Sequence, residues 1–274
     1  MAIKAADVSK LRKMTGAGMM DCKKALTETD GDFDAAVEII RKKGQAMASK
    51  RADRETSEGS SRAIVSADGK KGAVLILKCE TDFVGKNESF VALADSILET
   101  ALNSNVTTKE AILDLEINGL SVKDVITEQI GVIGEKIEIE EYGVIEAEKV
   151  VAYIHPGSQL SVIVGFNQAD FEEQVGKDVA MQVAAMAPVS VDKDSVPADV
   201  VETELRIGRE KAKEEGKPEA MLDKIAQGRL GKFFKESTLL EQAFVKDNKK
   251  SIKQYLTEAS ADLTVTEFKR LSLS

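Results

Sequence analysis

The sequence repeats itself, and that repeat limits the architecture more than any other feature. Ala73–Phe83 (AVLILKCETDF) and Ser161–Phe171 (SVIVGFNQADF) carry one pattern, 88 positions apart. At that offset Gly69 falls on Gly157, and Val91-Ala92 falls on Val179-Ala180. Each copy reads as strand, glycine turn, buried strand, Asp-Phe loop and helix, because a short apolar run bounded by turn residues is the pattern of a strand covered on both faces. The first helix is the clearer one, with Phe90, Ala94, Ile97, Leu98 and Ala101 on one face. Val122–Glu128 (VKDVITE) matches Ile252–Glu258 (IKQYLTE) at a second offset, 130. Closing strands are expected at 136–142 and 264–271. The fold class is therefore α+β, with a duplicated core of antiparallel sheet and helix.

The change of offset places an insertion in the second copy, between about Pro188 and Lys250. Val201, Leu205, Gly208 and Ala212 form one helical stripe there, and Leu222, Ala226, Leu230 and Phe233 form another. Glu214-Glu215-Gly216-Lys217-Pro218 separates them as a helix stop and a helix start. Two narrow stripes that pack on each other predict a helical coiled-coil hairpin at about 196–236.

Residues 1–44 read as three short helices, similar to a ubiquitin-associated-type module. Val8 and Leu11 lie in the first, which Thr15-Gly16-Ala17-Gly18 breaks. Met19, Cys22 and Leu26 stand at helical spacing in the second. Asp32 is placed to cap the third, Phe33, Val37 and Ile40 line its face, and Gly44 is expected to end it. The expected organisation is an N-terminal helical module with a basic linker over 1–54, a core subdomain over 55–145, and a second over 146–274 that carries the hairpin.

Charge and rare residues remove most other functions. With 38 basic and 47 acidic side chains the net charge is −9, which disfavours coating nucleic acid, where cations facing phosphates supply the affinity. No nucleic-acid partner is expected. An RNA- or ribosome-binding adaptor stays open as the alternative, because Arg41, Lys42, Lys43, Lys50, Arg51 and Arg54 cluster against the single acid Asp53. No aromatic is interleaved with them, which weakens that reading.

His155 is the only histidine, and Cys22 and Cys79 stand far apart, so no metal site is expected. Gly16-Ala17-Gly18 is half a dinucleotide fingerprint, and no G-x-x-x-x-G-K-[ST] occurs. Hence no cofactor, no direct nucleotide binding and no catalytic residue are expected. An enzyme would have to work through carboxylates such as Glu80 and Asp82. No stretch approaches the roughly 18 to 20 apolar residues of a membrane span, and the first residues lack an apolar signal core, so a cytoplasmic protein without membrane contact is expected.

Leu11–Leu26 (LRKMTGAGMMDCKKAL) closely resembles the N-terminal signature of the bacterial translation elongation factor Ts family. Thr81-Asp82-Phe83-Val84 looks like that family's second signature, and Gly134-Glu135 sits where the family has a similar pair before a core strand. Gly228–Glu236 and Gln242–Val245 resemble the stretch that follows its coiled-coil arm. The resemblance runs from about residue 4 to the end. Family members often continue into a small C-terminal helical module, whereas this sequence stops at or just after the last expected strand.

The resemblance implies a guanine-nucleotide exchange factor, not an enzyme, for the GTPase elongation factor Tu. It implies that Thr81, Asp82, Phe83 and Val84 form a loop that intrudes beside the partner's magnesium site and promotes GDP release. Ile133, Gly134 and His155 would support that intrusion, and Leu11, Met19, Met20 and Lys23 would form an N-terminal contact. Self-association through the core is left open. By position alone Phe83, following a buried strand, reads as core; the resemblance reverses that. Met19 and Met20 are adjacent, so one helix face cannot bury both, and exposed methionine suits an adaptable contact.

Overall fold

The glycines of Thr15–Gly18 end the first helix where the sequence predicts. Helix α1 (Ala5–Thr15) stops at Gly16, whose φ of 69° is left-handed and whose N–H donates to Arg12 O; a residue without Cβ adopts that geometry at little cost. Helix α2 (Met19–Glu28) follows, and α3 (Phe33–Arg51) starts at Asp32, whose carboxylate accepts from Ala35 N. Val8, Leu11, Cys22, Leu26 and Ala36 form the core between these helices. The computed structural model describes residues 3–273 of the chain.

The chain then runs through β1 (Glu58–Val65), β2 (Lys71–Cys79), α4 (Asp82–Gly85), α5 (Glu88–Asn103) and α6 (Lys109–Ile112). A small hairpin, β3 (Glu116–Ile117) and β4 (Leu120–Ser121), leads into α7 (Val122–Ile133) and β5 (Glu138–Glu146). Next come β6 (Lys149–Ile154), β7 (Leu160–Phe166), α8 (Glu173–Met186), α9 (Ala198–Glu214) and α10 (Leu222–Ser237). A second hairpin, β8 (Ala243–Phe244) and β9 (Asp247–Ser251), precedes α11 (Ile252–Ala259) and β10 (Val265–Ser272).

This is an α+β fold of small antiparallel sheets, two of them three-stranded. Their orders are β1-β2-β5 and β10-β7-β6, so each central strand is the one that carries a continuous apolar run. The reason is burial on both faces. On β2, Leu75 and Leu77 face α5 and α7, joining Phe90, Ile97, Ile126 and Ile130. Val74 and Ile76 point the other way, onto Val150, Ile163 and Leu271 of the second sheet. The far side of that sheet, with Val162, Val164 and Phe166, is covered by α8 and α11. Ser61 Oγ and Ser161 Oγ share a hydrogen bond of 2.6 Å between the sheets. Fully burying each such apolar side chain contributes about 1.5–3 kcal/mol.

Helices α9 and α10 form an antiparallel pair. Gly208 lets them close in, since a Cβ there would stand 3.1 Å from Ala226 Cα. Ala212, Ala226 and Leu230 are buried between them, and ion pairs Arg209–Asp223 and Arg229–Glu215 bridge their flanks.

Two local expectations are corrected. Gly44 does not end α3, which continues to Arg51. Gly44 instead lies where α3 crosses α7: a Cβ on Gly131 would stand 2.7 Å from Gly44 Cα, and one on Gly44 would stand 3.2 Å from Thr127 O. Glycine in a helix interior costs about 1 kcal/mol relative to alanine, and here backbone contact between the helices compensates. Second, the Asp-Phe segment of the first copy is a helical turn, α4, rather than a loop. The basic run is mostly helix, and five of its six cations face carboxylates: Arg41 with Glu128, Lys42 with Glu38, Lys43 with Asp21, and Arg51 and Arg54 with Glu80.

Candidate functional site

The turn α4 is pinned on one side and free on the other. Gly85 is buried against β1, where an added Cβ would stand 2.8 Å from Gly59 O. Val84 leans into the core under α5 and α7. With those two positions turned inward, Phe83 points out and is 84% exposed, more than any other large apolar side chain among the described residues. The stabilisation from burying a phenylalanine, about 1.5–3 kcal/mol, is left unused within the chain.

Two carboxylates hold the segment in front of that turn. Glu135 accepts from Glu80 N and Thr81 N at 3.0 Å each and from Thr81 Oγ1 at 2.6 Å. Glu80 folds inward and accepts from Lys136 N at 2.7 Å, Arg51 at 2.7 Å and Arg54 at 3.5 Å. Burial would raise the Glu80 pKa, but the Lys136 amide and the Arg51 guanidinium outweigh it and hold the carboxyl below the usual range. Its oxygens are engaged in structure, which argues against a catalytic role.

Asp82 is half exposed and pairs with Lys86 at 2.7 Å, one turn on, and that hydrogen bond lowers its pKa. Cys79 Sγ donates to Thr81 O at 3.2 Å. Burial, aided by the charge of Glu135, pushes this thiol up to about 12, so it is no nucleophile at neutral pH.

Helix α7 supplies the other wall. Ile133 packs on the first core, and Gly134 ends the helix with a φ of 83° and an N–H bond to Ile130 O at 2.9 Å. That reversal delivers Glu135 to the backbone of residues 80 and 81. Thr81–Val84 and Ile133–Gly134 are thus brought together, through Glu135. His155 is exposed in the turn between β6 and β7, its Nδ1 2.9 Å from Tyr153 OH. This turn is tied to β1 by a 2.6 Å bond from Ser61 N to Ser158 O.

On α2, Met19 is 58% and Met20 76% exposed, and Lys23 is exposed one turn further. Leu11 must be separated from this group. It is fully buried among the three helices, so it holds them together and presents no surface. Exposed Met14, which sequence reasoning passed over, adjoins it within the same signature; its spacing of three from the buried Leu11 gave no local sign of exposure. Helix α2 packs on α1 and α3, whereas α4 packs on β1, β2 and α5, so the methionines and Phe83 occupy separate surfaces.

Among the described residues there is no group of three or more His, Cys, Asp or Glu side chains placed to hold a metal ion. No helix among them is long and apolar enough to cross a membrane. What the arrangement offers is an exposed aromatic on a braced turn, with a second exposed apolar and basic surface, Met19, Met20 and Lys23, elsewhere.

The family described as Elongation factor TS matches residues 80–274. Elongation factor Ts of Amoebophilus asiaticus (strain 5a2) is 54% identical over 273 residues, covering 99% of each chain. Elongation factor Ts of Azobacteroides pseudotrichonymphae is 53% identical over 276 residues, covering 100% of this chain and 99% of the relative. That of Christiangramia forsetii is 50% identical over 272 residues, covering 99% and 98%.

Proposed function

The chain belongs to the elongation factor Ts family, and on that premise we propose that it is the guanine-nucleotide exchange factor of elongation factor Tu, releasing GDP without catalysing a chemical reaction. The observation that carries this reading is the exposure of Phe83, 84%, on a turn whose preceding backbone is held by Glu135 through Glu80 N and Thr81 N. A large apolar side chain kept in water on a rigid mount is arranged for a partner's pocket.

In this reading Thr81–Val84 enters beside the partner's magnesium and nucleotide site. Phe83 is the wedge, Asp82 brings a negative charge to the metal's surroundings, and Ile133 and Gly134 back the turn. Met19, Met20 and Lys23 grip the GTPase at a distance, and His155 supports the contact from the β6–β7 turn. The factor acts by reciprocal coupling: whatever it does to weaken GDP, GDP does to weaken the factor. Moving a two-state equilibrium from 1:99 to 99:1 needs about 5.5 kcal/mol of differential binding, whereas burying one phenylalanine supplies about 1.5–3 kcal/mol. Several separated grips are therefore required, which gives a physical purpose to a helical module over 1–54 joined to a duplicated core over 55–145 and 146–274. The helical arm over 196–236 is an insertion that the core can lose. The work is cytoplasmic.

The test is release of labelled GDP from purified elongation factor Tu. The chain should accelerate release, and Phe83→Ala should remove most of the acceleration. No acceleration by the unmodified chain would overturn the reading. The adaptor alternative is not carried forward, because five of the six cations it would use face carboxylates and no aromatic is interleaved with them.

A further inference from the structure

Behind the exposed turn lies a group of charged side chains that no partner has to touch: Glu80, Glu135, Arg51 and Arg54. We propose that Glu80 and Glu135 are the positioning residues of the exchange turn, and that Arg51 and Arg54 tie that turn to the helix carrying the N-terminal module. The inference rests on the exchange reading above and adds to it a device that fixes where Phe83 points.

Glu135 spends three hydrogen bonds on consecutive donors, Glu80 N, Thr81 N and Thr81 Oγ1. This fixes the backbone immediately before Asp82. Glu80 faces the opposite way and joins two other elements to the same segment: the start of the β5 segment through Lys136 N, and the end of α3 through Arg51 and Arg54. Each carboxylate thus holds the strand from which the other is reached, in a crossed bracket. Exposed ion pairs are worth little, but the Glu80 side chain is only 14% exposed and that of Arg51 27%. Charge-assisted bonds between partly buried groups are the stronger kind.

Helix α3 is continuous from Phe33 to Arg51. Its first half belongs to the N-terminal core, its middle rests on α7 at Gly44 and Gly131, and its end reaches Glu80. A rise of about 1.5 Å per residue puts Arg51 roughly 10 Å beyond that crossing. Any displacement of the N-terminal helices about the glycine contact is therefore delivered to the residue that anchors the turn. A misplacement of about 1 Å at a working group can cost on the order of a hundredfold in rate, so a bracket of this kind has a function to serve.

The experiment measures GDP release from elongation factor Tu over a range of factor concentrations, giving a maximal rate and a half-saturating concentration. Glu135→Gln keeps the size of the side chain but replaces one acceptor oxygen by a donor. It should lower the maximal rate by roughly tenfold or more while the half-saturating concentration changes little, because the α2 surface still binds. The Arg51→Ala, Arg54→Ala double variant should act in the same direction with a smaller loss. Arg51→Lys should recover most of it, since Arg51 meets Glu80 through a single nitrogen that an ammonium can replace. If Glu135→Gln does not fold, the arginine variants carry the test, as they lie at the end of α3. Full maximal rate in both folded variants overturns the bracket and leaves the exchange reading standing. Absence of acceleration by the unmodified chain overturns both.

Discussion

The two Asp-Phe turns of this molecule hold the same dipeptide and use it in opposite ways. Phe83 stands in solvent, while Phe171 lies on Phe166 with ring centroids 4.8 Å apart and has Lys149 Nζ 4.2 Å from its own ring centre. The next residue explains the reversal. Val84 follows Phe83 and takes the inward position, whereas Glu172 follows Phe171, is exposed, and sits at the start of α8. Where the neighbour is charged, as in Phe171-Glu172, the phenylalanine takes the inward place; where it is apolar, as in Phe83-Val84, the valine takes it and the phenylalanine stays in solvent.

The supports differ as well. In the first copy carboxylates hold the turn, through Glu80 and Glu135. In the second, neutral amides do it: Asn167 Nδ2 donates to Asp262 O at 2.8 Å, and Gln168 Nε2 donates to Ala261 O at 2.6 Å. Gln168 is the repeat equivalent of Glu80. In the second copy the aromatic packs at home, and in the first it stands exposed on a charged mount.

That contrast can be broken at several places. Phe171→Ala should lower stability by about 2–3 kcal/mol, the cost of removing a partly buried aromatic, measured as the shift in urea midpoint. This is less than a fully buried phenylalanine would cost, because Phe171 retains some exposure. Glu80→Gln should cost about 1.5–3 kcal/mol through weakened bonds from charged donors, and it should also change the response to acid. With its pKa held down in the folded chain, Glu80 contributes stability that is fully present above 4.5 and lost as pH falls through its lower folded value. The Glu80→Gln variant should therefore lose less stability than the unmodified chain between neutral pH and pH about 3. Equal losses would show that Arg51, Arg54 and the Lys136 amide do not hold a charged Glu80. Lys149→Met should have the smallest effect, about 0.5–1.5 kcal/mol, by removing both the cation over the Phe171 ring and its hydrogen bond to Phe171 O. No change at all in Lys149→Met would mean that neither contact helps to seat Phe171.

How much of this was legible in the sequence follows from the range of each interaction. The apolar runs of β2 and β7 stood out because both faces of a central strand are buried, and this fixed the α+β class. The adjacency of Met19 and Met20 implied only that one helix face could not bury both; the structure leaves both exposed. Leu11 stands at helical spacing from Val8, and the structure buries both in the N-terminal core, so the contact that the resemblance implied for Leu11 has no exposed surface to use. Gly44 resembled a helix stop because a lone glycine after basic residues has that local form; its partner Gly131 is 87 residues away. The bracket of Glu80 and Glu135 had no local sign, since the donors to Glu80 come from Arg51, Arg54 and Lys136 N and those to Glu135 from Glu80 N and Thr81, which no local period connects. The outward turn of Phe83 had no local sign, since both Phe83 and Val84 are apolar and position alone made Phe83 core; the structure decides which of the two faces in.

The central claim is that Phe83 belongs to a partner and not to its own core. Phe83→Ala measures it directly, with thermal unfolding and catalysed GDP release from elongation factor Tu followed on the same preparation. Removal of a side chain that is 84% exposed should change stability by less than about 0.5 kcal/mol and move the midpoint by no more than about 2 °C. Catalysed release should fall by at least about tenfold, equivalent to some 1.4 kcal/mol of lost coupling. A variant that melts many degrees lower, yet exchanges nucleotide at the original rate per folded molecule, would contradict the account.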